Sequence, residues 1–266
     1  MKQFQKTSEL QSYLKTMCKS IGFVPTMGAL HEGHLALIKA SKASCQITVC
    51  SIFVNPTQFN DPTDFEKYPV TLAADLEKLE IEGCDVVFFP TVSEMYPDGT
   101  SQLRTYDLGT LETILEGKCR PGHFQGVCVV VDKLLQAVQP FKLFMGEKDF
   151  QQMAVVQKML EITGSDVELI PCATVRSPEG LALSSRNARL SSKQKEQALA
   201  IYRGFDLLSQ AEFTQSLLEN GFDSIDYVAC ADPFTLHEKP YGEKPYIILV
   251  AAFLGGVRLI DNKSFL

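Results

Sequence analysis

The stretch Ile21-Gly-Phe-Val-Pro-Thr-Met-Gly-Ala-Leu-His31-Glu-Gly-His34 decides the fold. Its apolar, β-branched first half predicts a strand over Ile21–Met27, Gly28 supplies a turn, and the residues after His31 predict a helix. A strand feeding a helix through a glycine turn is the opening unit of a parallel sheet. The N–H groups at such a helix start predict an anion site, flanked by His31 and His34 as two imidazole donors. Gly33 between them is expected to let a bulky ligand approach the main chain. A plain polar helix cap with two surface histidines remains open on this pattern alone. A zinc site would lack a third ligand.

Working outward, strand-like runs recur at Ile47–Val54, Asp85–Phe89, Lys142–Met145 and Val167–Val175, with helical periodicity at Leu72–Glu82 and Gln151–Thr163. This alternation predicts an α/β fold, a Rossmann-like parallel sheet with helices on both faces. After about Val175 the pattern changes to a polar loop and a long amphipathic stretch, Ser191 to Phe213. Strand-like runs follow at Ile225–Ala231 and Tyr246–Leu254. The expected division is residues 1–176 as the Rossmann-like domain and 177–266 as a smaller α+β C-terminal domain.

Two more strand ends and two loops carry polar residues. Asn55 and Gln58 follow the second strand, where α/β sheets place ligand loops, although an ordinary Asn-Pro turn reads the same way. Gly146-Glu147-Lys148-Asp149 joins a strand to a helix, with Lys148 in reach of a phosphate and Asp149 as either a cap or a hydroxyl ligand. Ser184-Ser185-Arg186-Asn187 combines hydroxyls and a guanidinium in the inter-domain loop. Arg120-Pro-Gly-His123-Phe leads into a valine-rich helix whose Val127, Val130 and Val131 read first as core and second as an apolar pocket wall.

Composition excludes several classes. The 266 residues are 45% hydrophobic and 21% charged, with net charge -7, which disfavours nucleic acid or an acidic membrane as partner. No apolar run is long enough to span a membrane, and the N-terminus lacks a secretory pattern. The eight cysteines show no metal spacing and read as reduced cytosolic thiols filling the core.

Taken in order, Pro25-Thr-Met-Gly through His34, Asn55-Pro-Thr-Gln-Phe, Tyr68-Pro69, Pro121-Gly-His-Phe, Gly146-Glu-Lys-Asp, Leu183-Ser-Ser-Arg-Asn and Arg258-Leu-Ile-Asp-Asn resemble the pantothenate synthetase family. That family belongs to the Rossmann-like adenylyltransferases with a His-x-Gly-His turn. The resemblance spans nearly the whole chain and implies a cytoplasmic homodimer with a C-terminal lid. The implied reaction is ATP-dependent condensation of pantoate with β-alanine through a pantoyl adenylate, with Mg²⁺ on the triphosphate.

The resemblance further implies ATP contacts at Met27, Gly28, His31 and His34, and at Gly146, Glu147, Lys148 and Asp149. More ATP contacts are implied at Val175, Leu183, Ser184, Ser185 and Arg186. Catalysis falls to His34, His31, Lys148 and Arg186. Gln58, Gln152 and Asn55 are expected to bind pantoate, with Val127, Val130 and Val131 against its methyls. Asp75 is expected near Mg²⁺, without direct protein ligation of the metal. Val70 stands where the family commonly has arginine, and Ala74 where a second acid often lies. Rival readings are an adenylyltransferase acting on a phosphate acceptor, disfavoured by the neutral Gln58 and Gln152, and a catalytically silent nucleotide-binding module.

Overall fold

The computed structural model describes residues 1–59, 65–66 and 68–266. By its contacts the chain divides into two compact units, Met1–Glu147 with Gln152–Ala173, and Lys148–Gln151 with Thr174–Leu266.

The first unit is built on six parallel strands, β1 (Lys2–Phe4), β2 (Ile21–Thr26), β3 (Ile47–Ile52), β4 (Val86–Phe88), β5 (Lys142–Gly146) and β6 (Glu168–Cys172). Their spatial order is β1-β4-β3-β2-β5-β6. The chain steps from β2 to β3 and β4 on one side, then places β5 on the other side of β2. The strand order therefore reverses between β2 and β5, where an α/β sheet opens a crevice at its carboxyl edge. Helices α1 (Thr7–Lys15), α2 (Glu32–Ser44), α3 (Leu72–Ile81), the short α4 (Val92–Met95) and α5 (Leu115–Cys119), α6 (His123–Val138) and α7 (Phe150–Thr163) accompany it. A core of Val24, Leu30, Ile38, Cys50, Leu79, Val87 and Phe144 is essentially closed to solvent. These apolar runs suit strands covered on both faces.

In the second unit, an antiparallel sheet of β7 (Ser224–Ala231), β8 (Tyr246–Leu254) and β9 (Val257–Phe265) accompanies helices α8 (Ser192–Gly204) and α9 (Gln210–Glu219). The amphipathic stretch Ser191–Phe213 is thus two helices, not one. Ser209 Oγ accepts the Glu212 N–H at 3.2 Å and starts the second. The break also seats the Phe213 ring on Gly204, where any Cβ would lie 2.0 Å from ring carbon. Strands β1 and β9 escape the periodicity argument. The first has three residues, and the second carries buried Asp261 and Asn262 in its interior.

Candidate functional site

The turn leaving β2 is shaped by groups that consume its own hydrogen-bonding capacity. Gly28 and Ala29 adopt left-handed φ of 82° and 48°, which favours glycine at the first. The Gly28 N–H donates to Thr26 Oγ1 at 3.2 Å. The next two N–H groups, of Ala29 and Leu30, donate to Asp75 Oδ2 at 2.9 Å and Oδ1 at 2.8 Å. Thr71 Oγ1–H adds a third bond to Asp75 at 3.1 Å, and Lys78 Nζ, one turn further along α3, donates to the Leu30 carbonyl at 2.6 Å. Asp75 is wholly buried. Its carboxylate anchors the turn. Among the described residues no group of three or more His, Cys, Asp or Glu side chains is arranged to hold a metal ion.

The helix start is closed in the same way. His31 is the N-cap of α2 and its Nδ1 accepts the Gly33 N–H at 3.1 Å, while the His31 N–H donates to His34 Nδ1 at 3.3 Å. The two rings lie 4.1 Å apart. Because both Nδ1 atoms receive N–H groups, the neutral rings must carry their protons on Nε2. Several of the turn's own N–H groups, those of Gly28, Ala29, Leu30, His31 and Gly33, are thus engaged within the protein. Gly33 has an internal reason as well: a Cβ there would lie 2.8 Å from the His31 ring. The room it makes is taken by His31.

The turn leaving β3 is a single 3-10 turn, Pro56–Gln58, capped by Asn55. Asn55 is 1% exposed. Its Oδ1 accepts from Tyr96 Oη at 2.7 Å and from Thr57 Oγ1 at 3.1 Å, and its Nδ2 donates to the Gly126 carbonyl at 3.2 Å and to Gln58 Oε1 at 3.3 Å. With its amide engaged on both ends, Asn55 braces this turn. Burial pushes the Tyr96 phenol up, so it donates at neutral pH. Gln58 is different. Its Nε2 meets the Met27 sulfur at 3.0 Å, a weak acceptor, which brings the Gln58 amide beside the histidine turn.

Helix α6 supports the Gln58 turn from outside. A Cβ on Gly126 would lie 2.3 Å from the Thr57 carbonyl oxygen, so only glycine lets the helix approach so closely. Val127, Val130 and Val131 beside it are buried, between 2% and 5% exposed.

Gly146 closes β5 and Glu147 follows it. Lys148 Nζ stands 3.8 Å from Asp149 Oδ2, and the Lys148 carbonyl accepts from Asn262 Nδ2 at 3.0 Å. Gln151 is buried and Gln152 is half-buried. In the second unit the Leu183 N–H donates to the Val175 carbonyl at 3.0 Å, which joins two of the expected ATP contacts. Ser184 caps the 3-10 turn Ser185–Arg189 by accepting the Arg186 N–H at 3.3 Å, and Ser185 and Arg186 are half-buried. This segment is tied down by Arg176, whose guanidinium makes paired bonds to Asp261 at 2.5 and 2.9 Å and donates to the Gly180 carbonyl at 3.1 Å.

Asp75, Lys78, Tyr96, Gly126 and the Arg176–Asp261 pair were not singled out from sequence in these roles. The one available signal was the spacing of Thr71, Asp75 and Lys78, which sets them on one face of a helix.

All eight cysteines are free. Burial pushes the thiols of Cys84 and Cys128 up to about 12 and that of Cys50 well up also, so none of these three is a thiolate at neutral pH. Among the described residues no helix is long and apolar enough to cross a membrane.

A doubly wound parallel sheet with a histidine-capped turn where its strand order reverses defines an α/β protein of the Rossmann-like class. The chain belongs to the pantoate-beta-alanine ligase family, whose model matches residues 2–264. It is 44% identical to the pantothenate synthetase of Aquifex aeolicus over 277 residues, 97% of each chain. The crystal structure of pantothenate synthetase from Thermus thermophilus superposes with a TM-score of 0.91 at 38% identity, covering 99% of both chains. A pantoate-beta-alanine ligase from Francisella tularensis, complexed with beta-gamma ATP and beta-alanine, gives 0.87 at 38% identity, covering 99% of this chain and 97% of that one.

Proposed function

We propose that this protein condenses pantoate with β-alanine at the expense of ATP, releasing AMP and pyrophosphate through a pantoyl adenylate. The observation that carries the reading is the histidine turn: two Nε2–H donors fixed by main-chain N–H groups, in a chain that matches the ligase family almost end to end.

In the first step a pantoate carboxylate oxygen attacks the α-phosphorus, and the bond to pyrophosphate breaks with its electrons on the leaving group. Negative charge grows on phosphate oxygens, and donors already aimed there stabilise the transition state without reorganising. His31 and His34 supply neutral N–H groups to them, and Lys148 and Arg186 supply charge. Mg²⁺ arrives on the triphosphate of ATP in this reading, with Asp75 near it and no direct protein ligand to the metal. Met27, Gly28, Gly146, Glu147, Asp149, Val175, Leu183, Ser184 and Ser185 complete the ATP contacts.

Gln58 and Gln152 hold pantoate, with Val127, Val130 and Val131 towards its methyls. In the second step the β-alanine amine attacks the acyl carbon, the C–O bond to AMP breaks, and the nitrogen loses a proton. No covalent enzyme intermediate is required, in keeping with protonated buried thiols. The C-terminal residues serve as the lid that keeps water from the acyl adenylate. A cytoplasmic homodimer belongs to the same reading, and sedimentation of the purified chain tests the dimer.

The reaction itself is tested by acid-quenching a mixture of enzyme, Mg-ATP and pantoate with β-alanine withheld. Pantoyl adenylate is the expected product, converted to pantothenate and AMP once β-alanine is added. Pantothenate formation without any such intermediate would end the two-step scheme.

A further inference from the structure

The Arg120–Phe124 stretch, conspicuous in the sequence, has no part in the chemistry above. Its histidine is 5% exposed at the start of α6. His123 Nδ1 lies 2.8 Å from the Gln58 carbonyl oxygen, and Nε2 lies 2.9 Å from Arg120 Nη1. A carbonyl only accepts and a guanidinium only donates, so the ring carries its proton on Nδ1 and offers a lone pair at Nε2. This tautomer is the opposite of the one imposed on His31 and His34. Arg120 is in turn 3.8 Å from Glu116, one helical turn back. The result is a chain of contacts, Glu116 to Arg120 to His123, ending on the main chain of Gln58.

That end point matters because the Gln58 turn has little internal support. Its closing main-chain bond, Phe59 N–H to the Pro56 carbonyl, is long at 3.4 Å. Asn55 sets the Gln58 amide from one side, through Oε1. His123 sets the main chain from the other.

We propose that His123 is a positioning residue for Gln58: its Nδ1–H holds the Gln58 carbonyl and so fixes the direction in which the Gln58 amide meets pantoate. The proposal rests on the reading of Gln58 as the pantoate ligand. It requires two properties at one position, a donor at the δ atom and an acceptor at the ε atom. Asparagine keeps the first of these, because its Nδ2 falls near the place of the imidazole Nδ1. Glutamine keeps only groups at the ε position.

The test compares His123→Ala, His123→Asn and His123→Gln in the full-length enzyme. Loss of one positioning bond raises the pantoate KM about fivefold in the alanine variant, with the ATP KM within about twofold of wild type. Asparagine restores most of the pantoate KM and glutamine does not. Combining His123→Ala with Gln58→Ala adds nothing to the pantoate KM of Gln58→Ala alone, since both act through one group. An unchanged pantoate KM in His123→Ala, rescue by glutamine in place of asparagine, or additivity in the double variant would each overturn the proposal.

Amide hydrogen exchange gives a readout independent of catalysis. Peptides containing Asn55–Phe59 exchange faster in His123→Ala and return towards wild type in His123→Asn; equal exchange in all forms overturns the positioning role. Should the wild-type enzyme ignore pantoate, the functional reading fails, and the exchange experiment still decides whether His123 holds the Gln58 turn.

Discussion

The turns that leave β2 and β3 perform adjacent tasks with contrasting materials. The first, Gly28–His34, is clasped by ions: a buried carboxylate on two N–H groups and a lysine on a carbonyl, all from one face of α3. The second, Asn55–Gln58, is clasped by neutral groups: an amide, a phenol, an imidazole and the bare backbone of Gly126. Supports for both turns come from outside them as well as from within: Asp75 and Lys78 for the first, Tyr96, Gly126 and His123 for the second. A charged anchor without its partners, or partners without their anchor, carries a large desolvation penalty, whereas a neutral bond is worth about 1 kcal/mol net. The histidine turn is therefore expected to be the more rigid and the more costly to disturb.

Removing the anchor gives the largest effect. Asp75→Ala leaves the Ala29 and Leu30 N–H groups without acceptors, at about 1–3 kcal/mol each, and urea denaturation should show a loss of about 3 kcal/mol along with most of the activity. A midpoint close to wild type would mean that the turn does not depend on this carboxylate. Next come the residues proposed to stabilise the transition state, His34 on the same turn and Lys148 after β5. His34→Ala or Lys148→Ala lowers turnover about a hundredfold, equivalent to about 2.7 kcal/mol of transition-state stabilisation, with the denaturation midpoint nearly unchanged for Lys148→Ala. Turnover near wild type removes that residue from the chemistry.

The neutral turn separates holder from held at lower stakes. Gln58→Ala raises the pantoate KM about fivefold to tenfold and leaves stability alone, while Asn55→Ala costs stability by about 1–3 kcal/mol through the orphaned Tyr96 and Gly126 groups. If the two variants behave alike in both assays, the distinction between scaffold and ligand collapses. The smallest effect concerns the thiols. The ionised fraction of a thiol held near 12 is negligible at pH 8, and charge appears only as pH climbs towards that value. Iodoacetamide at pH 8 should thus leave Cys50, Cys84 and Cys128 unlabelled in the folded protein, as peptide mass mapping would show.

The same contrast explains what the sequence could tell. Strands such as Ile21–Thr26 and Ile47–Ile52 were legible because both faces are buried and the run is almost wholly apolar. β9 was not, because Asp261 and Asn262 are buried by partners far away in the chain, Arg176 and the Lys148 carbonyl. His31, His34 and Gln58 stood out as polar residues at strand ends. Their supports did not, since an acid 45 positions from the turn it anchors reads in a linear pattern like any acid available to a metal. Nor does spacing distinguish a glycine that admits a ligand from one, like Gly33, that admits a neighbouring ring. The family resemblance supplied substrates and reaction; the geometry showed which residues support the turns that carry the motif.

The most direct test of the account is pantoate-dependent exchange of labelled pyrophosphate into ATP, with Mg²⁺ present and β-alanine absent. The account predicts exchange in the wild-type enzyme, strongly reduced in His34→Ala. Bound ATP with no exchange on adding pantoate would contradict it, because the histidine turn would then hold a nucleotide without activating this acid.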